Sequence, residues 1–405
     1  MFRKLFLNKD FFLLWTGQIV SQIGDKFYGI ALAWWVLQRT NSSVMMGLFM
    51  AASVLPGLIF SIFAGVFIDK WNRKMIIIMS DMMRGICVIM IAILSAMNIL
   101  VLWHIFVAAI LISLCSAFFD PTVKAIIPQI VKAEQLPRAN SLSEMVDAAS
   151  IIIGPVLGAA FVSFFGFTIV FLINGLSYLN SAFFESFMTI PSHMDSHSDA
   201  YTLRYEIGRG IKYLLSRRKI VITIGVIGIA HFFVGALIVS LPFLAKALSG
   251  DNIQTLGNLE MMLGVGMLLG ALSIQVRAKS HIKDNNLFVF IAAMGILYVS
   301  IAITKAITNS VALPYMILLC LVGIVIANAS VYWQSMLQLN TSNDMAGRVF
   351  SISSMVGEIS LPISYGLFGI LLKYTSISIL MLFSGLALVL ISLILMHLYT
   401  SKKIY

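Results

Sequence analysis

Long apolar runs joined by short charged turns are the feature that most limits the folds open to this chain. One run extends from Ser43 to Ile68 and the next from Met75 to about Leu100, and only Asp69-Lys-Trp-Asn-Arg-Lys74 separates them. Each run is long enough to cross a bilayer as a helix, which takes roughly 20 residues. The chain is 60% hydrophobic and 11% charged, with a mean hydropathy of +0.98. A soluble domain cannot bury so much apolar surface, so the sequence predicts an all-α integral membrane protein.

The hydropathy pattern predicts twelve transmembrane helices in two six-helix bundles. The predicted spans are 11–38, 43–68, 75–97, 100–119, 139–164, 167–190, 219–247, 256–276, 287–305, 311–335, 347–372 and 376–399. We expect an N-terminal bundle at 1–190, a cytoplasmic linker at 191–218 and a C-terminal bundle at 219–405. A polar match between the starts of the fifth and eleventh spans, Arg138-x-x-Ser-x-Ser-x-Met145 and Arg348-x-x-Ser-x-Ser-x-Met355, indicates a repeat, with chance similarity as the alternative.

Basic residues concentrate in one set of turns and tails. That set holds Arg3, Lys4, Lys9, Lys70, Arg73, Lys74, Lys124, Lys132, Arg138, Arg204, Arg209, Lys212, Arg217, Arg218, Lys219, Arg277, Lys279, Lys283, Arg348, Lys402 and Lys403. The opposite set holds only Arg39, Lys246, Lys305 and Lys373. Cytoplasmic loops of membrane proteins are rich in Lys and Arg, so both termini are predicted to lie in the cytoplasm. The protein itself is predicted to be located in the cell membrane. The net charge of +10 then faces anionic lipid headgroups, and no nucleic acid partner is expected.

A polar stripe on the first predicted helix is the main candidate for chemistry. Gln18, Gln22, Asp25 and Tyr28 recur at three- and four-residue spacing and so share one face. An ionised carboxylate near the middle of a span costs at least roughly 2.5 kcal/mol, so Asp25 should face a wet cavity or a partner. We expect it to take part in proton coupling. A purely structural Asp–Lys pair with a neighbouring helix is the alternative.

Two further residues are cavity candidates in the second half of the chain. Glu358 lies about ten residues inside the eleventh span, among small residues. Two carboxylates, Asp25 and Glu358, facing one cavity would suit proton exchange against a cationic or neutral substrate. His231 in the seventh span could contact substrate or protons. A packing role is the alternative for each of the two later residues.

Several short motifs resemble a known transporter family. Gly65-x-x-x-Asp69-x-x-x-Arg73-Lys74, between the second and third spans, resembles the signature loop of the major facilitator superfamily of secondary transporters. Gly154-Pro155-x-x-Gly158 is similar to the core of that family's antiporter motif, although the upstream glycines are missing. Four more segments resemble the macrolide-efflux and enterobactin-exporter branch of drug:proton antiporters. They are Ser21-Gln-Ile-Gly-Asp25, Thr40-Asn-Ser-Ser43, Asp81-Met-Met-Arg84 and Asp344-Met-Ala-Gly-Arg348. The resemblance covers residues 5 to 400.

This resemblance implies an exporter of small amphiphilic compounds, macrolide- or drug-like or a siderophore, that works by rocking of two halves. It assigns conformational roles to Gly65, Asp69, Arg73, Lys74, Asp81, Arg84, Gly154, Pro155, Gly158 and Arg348. Asp69 would latch against the start of the eleventh helix near Arg348, and Asp81 would pair with Arg84. One departure is that many relatives carry an Arg in the fourth helix, whereas the predicted span has neither Arg nor Lys from Val101 to Phe119.

Other classes of protein have little support in the sequence. There is no phosphate-binding loop of the Gly-x-x-x-x-Gly-Lys-Ser/Thr type, and no catalytic cluster, so neither ATP hydrolysis nor an enzyme is expected. His193-x-x-x-His197 is interpreted as solvated linker rather than a metal site, and no metal or cofactor is expected. A monomer is expected. The alternatives are a lysolipid flippase or solute importer of the same fold, and a non-transporting membrane sensor.

Overall fold

The chain folds into long helices that follow the predicted spans. The computed structural model describes residues 7–190, 212–277, 285–308, 311–342 and 345–401, although the side chains of a few residues inside these ranges, Gly65 and Asp69 among them, lie outside the description. The first four helices are α1 Lys9–Thr40, α2 Ser43–Lys70, α3 Arg73–Ala96 and α4 Leu102–Ile130. After a short 3-10 turn at Ala133–Gln135, a helical stretch covers Leu136–Ser186. The last six are α7 Arg218–Ser249, α8 Ile253–Arg277, α9 Asn286–Ile307, α10 Leu313–Asn340, α11 Ala346–Tyr374 and α12 Ile377–Thr400.

The stretch Leu136–Ser186 consists of two helices that meet at one glycine. Gly166 has φ 78° and ψ 175°, far from helical values, and it separates α5 (136–165) from α6 (167–186). A residue with a side chain is strained in this region of backbone space, whereas glycine enters it freely. A single glycine therefore makes the whole connection between α5 and α6, and the predicted count of twelve helices is confirmed.

The helices have the length and composition of membrane spans. Ten segments of the described chain are long and apolar enough to cross a bilayer, and one of them, Ala133–Ser186, contains both α5 and α6. The first helix is not among the ten, because Gln18, Gln22, Asp25 and Lys26 interrupt its apolar sequence. Helices suit such surroundings because they satisfy their backbone hydrogen bonds internally. The described residues include no β-strand.

The chain divides into two compact units. One contains the described residues of 1–41, 52–197 and 252–261, and the other those of 42–51, 198–251 and 262–405. In the first unit α1 packs against the α5–α6 pair, and α3 packs against α4 and α6. In the second unit α7 packs against α11 and α12, and α9 packs against α10 and α12. The same pairing pattern therefore occurs twice, as expected for two related six-helix sets. The boundary at the 191–218 linker stays a prediction, since residues 191–211 lie outside the described chain.

The predicted end of the fourth helix was wrong. It was placed at Phe119, with Lys124 in a cytoplasmic turn, but α4 continues to Ile130 through two prolines, Pro121 and Pro128. Transmembrane helices tolerate proline where side chains or neighbouring helices satisfy the freed backbone groups. Here the Thr122 hydroxyl donates to the Phe118 carbonyl at 2.6 Å. Asp120 and Lys124 are therefore helical residues, and both face a polar cavity described below.

Close backbone contact between α8 and α10 holds part of the second unit together. A Cβ added to Gly270 would lie 2.6 Å from the Ile324 carbonyl oxygen and 2.9 Å from the Ile324 Cα. The Asn328 side-chain amide donates to the Ile324 carbonyl at 2.8 Å and to the Gly270 carbonyl at 3.4 Å. Small residues at helix crossings are a common source of stability between membrane helices, because they let backbones approach.

Replacing Gly270 with alanine should therefore destabilise the protein. Overpacking a close contact typically costs about 1–3 kcal/mol, and here the obstructing atoms are backbone. Gly225→Ala in α7 is the matched control, because a Cβ at Gly225 would meet nothing within 4 Å. We expect thermal unfolding in detergent to show a lower midpoint for G270A and an unchanged or higher one for G225A. Equal midpoints would mean that the α8–α10 crossing can widen without cost.

Candidate functional site

Asp25 is anchored in the first unit by a tyrosine from α6. The Tyr178 hydroxyl donates a hydrogen bond to the Asp25 carboxylate, and the tyrosine side chain is buried. Gly24 brings the two helices together at this level, because a Cβ there would lie 2.6 Å from the Ser177 hydroxyl of α6. A carboxylate placed in the middle of a transmembrane helix needs such a donor to offset its lost hydration. Asp25 is thus held in a fixed position on α1.

Arg84 is a buried cation beside this pair. It is 3% exposed, and its guanidinium lies 2.5 Å from the carboxylate of Asp81, one helical turn away on α3. The predicted Asp81–Arg84 pair is therefore present. The guanidinium also lies 4.1 Å from the ring centre of Phe119 on α4 and 4.9 Å from that of Tyr178. Aromatic faces attract a cation most strongly where water is excluded. Arg84 thus joins α3, α4 and α6 at one point.

A polar face on α6 completes this network. Asn174, Ser177, Tyr178, Ser181 and Glu185 follow one another at three- and four-residue spacing, and all five are buried. The Ser177 hydroxyl is 3.1 Å from the Asn174 side-chain oxygen, and the Ser181 hydroxyl is 3.4 Å from a carboxylate oxygen of Glu185. Sequence analysis missed this face. The signal was present, because an acidic residue in an apolar span and a polar period near 3.6 indicate a buried site.

A polar cavity of about 880 Å³ lies between α1, α4 and α5 of the first unit. Its lining includes four carboxylates and two lysines. They are Asp25 and Lys26 from α1, Asp120 and Lys124 from α4, and Glu144 and Asp147 from α5. Gln18 and Gln22 also line it, as the predicted stripe on α1 requires, together with the apolar side chains of Val123, Ile127, Leu136 and Ile151. The cavity is within the size range of small-molecule sites, and acidic groups outnumber basic ones.

The Gly154-Pro155-x-x-Gly158 motif packs α5 against α1 beside this cavity. A Cβ on Gly158 would lie 2.5 Å from the Phe27 carbonyl oxygen and 2.6 Å from the side chain of Ile30. Gly154 similarly contacts the stem of Lys26. Pro155 lacks a backbone N–H, so it cannot donate to the carbonyl of Ile151, which lines the cavity. The motif therefore shapes one wall of the cavity, and its conformational role stays a proposal.

Lys26 links the cavity to an acid that sequence analysis did not identify. Glu260 on α8 lies within electrostatic range of Lys26. Residues 252–261 pack in the first unit, and a Cβ on Gly257 would lie 2.9 Å from the Pro155 carbonyl oxygen of α5. The polar groups around α1 thus include a half-buried glutamate from a distant part of the sequence. Its position follows from tertiary packing, which the local sequence of α8 does not show.

The other predicted cavity residues have different surroundings. The Tyr28 ring packs edge-on against Phe171 at 5.5 Å, and the residue is buried outside the cavity lining. In the second unit, the His231 ring shares a hydrogen bond with the Ile227 carbonyl at 2.9 Å and packs near Gly357. Glu358 is exposed on α11, next to Gly357. Because Asp25 and Glu358 belong to different units, their shared cavity stays a prediction.

The charged loop after α2 is only partly described. Asn72 caps α3 by accepting hydrogen bonds from the backbone of Lys74 at 3.0 Å and Met75 at 3.4 Å. Arg73 donates to the Ala125 carbonyl of α4 at 3.5 Å. Arg348 donates to the sulfur of Met345 at 3.0 Å. The side chains of Gly65 and Asp69 lie outside the described residues, as do His193, His197 and Asp344, so the latch remains a prediction.

Comparisons with known proteins identify the family. The chain matches the model of the transmembrane secretion effector family, a group of major facilitator superfamily transporters, over residues 5–404. The chain belongs to this family. It is 21% identical to macrolide efflux protein A of Streptococcus pyogenes over 387 residues, which cover 95% of this chain and 94% of that protein. It is 23% identical to the multidrug efflux pump Tap of Mycobacterium tuberculosis, over 88% of this chain and 86% of the pump.

Solved structures agree with this membership at the level of the fold. A bacterial homologue of the iron transporter ferroportin, in an inward-facing state, matches with a TM-score of 0.73 at 15% identity. The match covers 95% of this chain and 98% of that structure. The twelve-helix architecture of this secretion effector is therefore that of the major facilitator superfamily, and the chain is a multi-pass membrane transporter. Its described residues contain no group of three His, Cys, Asp or Glu side chains placed to bind a metal ion.

Removing the Arg84 cation should destabilise the first unit strongly. Arg84→Gln leaves the Asp81 carboxylate buried without its partner, which typically costs about 3–5 kcal/mol. The double variant Asp81→Asn/Arg84→Gln should recover part of that loss, because it removes the unpaired charge. Thermal or denaturant unfolding of the two variants in detergent measures the difference. If the double variant is no more stable than R84Q, the loss comes from packing against Phe119 and Tyr178 rather than from the ion pair.

Proposed function

We propose that this transporter exports small amphiphilic compounds, preferentially cationic ones, from the bacterial cytoplasm in exchange for protons. The observation that supports the proposal is the acidic cavity between α1, α4 and α5, which has Asp25 in its wall. The transporter would work as a monomer, with both termini cytoplasmic. Alternating access would be accomplished by rocking of the two halves.

The chemistry of the cavity wall favours a positively charged substrate with apolar parts. Four carboxylates against two lysines give the wall an excess of negative charge, which attracts cations and repels anions. The apolar side chains between the charged groups can cover a ring or an alkyl group. An anionic siderophore fits this wall less well than an amine-bearing drug does.

Asp25 is the group best placed to exchange a proton for the substrate. It lines the cavity, and the Tyr178 hydroxyl holds its carboxylate from behind. A carboxylate that binds a proton loses its attraction for a cation, so the two ligands exclude each other at one site. Such mutually exclusive binding is what an antiporter needs. Glu358 is proposed as a second acid of this kind, in the other unit.

Export rather than import is supported by the named relatives. Macrolide efflux protein A and the pump Tap are both described as efflux proteins, and they align over most of this chain. The Gly154-Pro155-x-x-Gly158 segment, which packs α5 on α1, resembles the antiporter motif of the family. The predicted conformational residues Gly65, Asp69, Arg73, Lys74 and Arg348 would then act at the cytoplasmic ends of the helices.

Transport into inside-out vesicles tests this function. A pH gradient that is acidic inside is imposed on the vesicles, and a macrolide or the lipophilic cation tetraphenylphosphonium is then added. The intact protein should accumulate the cation, and Asp25→Asn should lower accumulation about tenfold or more. Loss of a desolvated charge partner costs about 2 kcal/mol or more, and each 1.4 kcal/mol is a factor of ten. Asp251→Asn, an exposed acid between α7 and α8, is the matched control and should transport normally.

The alternatives predict different results in the same vesicles. An importer would lose the cation from preloaded inside-out vesicles, a lysolipid flippase would move a labelled lysolipid instead, and a sensor would move neither probe. Accumulation that is the same in D25N and in the intact protein would exclude the proposed exchange at Asp25.

A further inference from the structure

Glu185 is a fully buried acid that does not line the cavity. It lies in the last turn of α6, its relative exposure is 0%, and it is absent from the cavity wall. One carboxylate oxygen has only the Ser181 hydroxyl, at a long 3.4 Å, and the other has no hydrogen-bond partner among the described residues. A buried ionised carboxylate needs several strong donors to replace its lost water. Glu185 lacks them.

The nearby side-chain donors do not satisfy Glu185, since those of Arg84 and Tyr178 that make hydrogen bonds make them to other acids, and Arg84 Nε makes none among the described residues. Asp81 and Arg84 of α3 both lie within electrostatic range of Glu185, but the guanidinium of Arg84 is bound to Asp81 at 2.5 Å. The Tyr178 hydroxyl donates to Asp25 of α1. On α4, Asp120 adds another negative charge near Arg84. Beyond the end of α6, Asp10 of α1 accepts from the Thr189 backbone at 2.8 Å.

The charges of Asp81, Glu185 and Arg84 balance only if one of the two acids is neutral. Asp81 and Glu185 share a single buried cation, and the field of Asp25 and Asp120 makes a second ionised acid costlier still. Asp81 has the ion pair and Asp25 has the tyrosine, whereas Glu185 has only the long hydrogen bond from Ser181. Its place at the carboxyl end of α6 also disfavours a negative charge, because the last turn of a helix carries partial negative charge.

We propose that Glu185 is a proton-binding site, neutral at rest, that forms one unit with Asp81 and Arg84. The coupling step rests on the proposed function. A cation that binds at Asp25 weakens the attraction between Asp25 and the guanidinium of Arg84. The positive charge of Arg84 then stabilises the carboxylates of Asp81 and Glu185 more strongly. Glu185 then gives its proton to water and becomes the carboxylate, and the bound cation supplies the positive charge that the released proton removes. One proton leaves as one cation binds, as an antiporter requires.

Infrared spectroscopy of the purified protein tests the site without any transport. A protonated carboxylic acid gives a carbonyl stretch that is separate from the carboxylate and amide bands and shifts in D₂O. This band should be present in the intact protein and lost in Glu185→Gln. Glu134→Gln, an exposed acid in the 3-10 turn before α5, is the matched control and should keep the band. A band that survives in E185Q, or is absent from the intact protein, overturns the proposal.

Stability provides a second, independent readout. An amide resembles a neutral carboxylic acid in shape and charge, so E185Q should unfold at the same temperature as the intact protein. R84Q, in contrast, should be clearly destabilised. If E185Q is destabilised as strongly as R84Q, Glu185 is an ionised partner of Arg84 and the proposal is wrong. Glu185→Asp should keep an acid carbonyl band, at a shifted frequency.

The coupling step is tested by adding tetraphenylphosphonium to the infrared sample and by vesicle transport. The acid band should weaken on addition of the cation in the intact protein and stay unchanged in Asp25→Asn. In vesicles, E185Q should keep exchange of labelled for unlabelled cation but accumulate about tenfold less under a pH gradient. If the intact protein shows the band but no gradient-driven transport, the proposed function fails and the proton site stands. If the acid band of the intact protein does not change when the cation is added, the proposed coupling between Asp25 and Glu185 is wrong.

Discussion

The buried guanidinium of Arg84 is the interaction on which the polar interior of the first unit depends. It is the point where the ion pair with Asp81, the rings of Phe119 and Tyr178, and the field of Asp25 meet. A single cation shared by several buried acids can stabilise only some of them as carboxylates. The proposed proton site at Glu185 follows from this shortage of positive charge. Arg84 also places a cation against α4, whose apolar part has no basic residue, because its guanidinium lies over the ring of Phe119.

The two units repeat the same helix pairings with different chemistry. In the first unit, α1, α3 and α6 meet through hydroxyls, carboxylates and the guanidinium. In the described part of the second unit, the corresponding helices α7, α9 and α12 meet through glycine contacts and hydrogen bonds to backbone carbonyls. Gly295 of α9 packs against Gly385 of α12, and the Tyr298 hydroxyl of α9 donates to the Phe233 carbonyl of α7. Close packing of backbones gives a stable helix pair in lipid without any charge. The repeat thus provides one architecture twice, and in the first copy buried polar and charged side chains have been added to it.

Much of the fold followed from the sequence, because lipid leaves few options for a polar backbone. The hydropathy pattern located eleven of the twelve helices to within five residues at each end, and Gly166 fell in the predicted gap between the fifth and sixth. The predicted end of the fourth helix was wrong because the apolar run stops at Phe119 and Lys124 was assigned to a cytoplasmic turn. The charges of Asp120 and Lys124 are compatible with a helix because they face an acidic cavity, and which face meets a cavity is decided by neighbours that are distant in sequence.

The candidate site was predicted in part for the same reason. The stripe of Gln18, Gln22 and Asp25 was visible as a period on one helix, and the Asp81–Arg84 pair as a spacing of three. Glu185 carried an equally local signal, an acid in an apolar span, but its significance depends on the number of acids that share Arg84. Glu260 gave no local signal of its proximity to Lys26. The importance of such residues depends on how many charged or hydrogen-bonding groups surround them, and this becomes known only from the tertiary structure.

The single-glycine connection at Gly166 has a mechanical consequence. With no loop between them, α5 and α6 form a hairpin with almost no slack at its closed end. Glu144 and Asp147 lie on one arm, whereas Tyr178 and Glu185 lie on the other. A tilt of the arm that borders the cavity must be followed by the arm that bears the acid cluster. The hairpin would thus move as one stiff unit, so that a displacement of α5 at the cavity is transmitted to the acid cluster on α6.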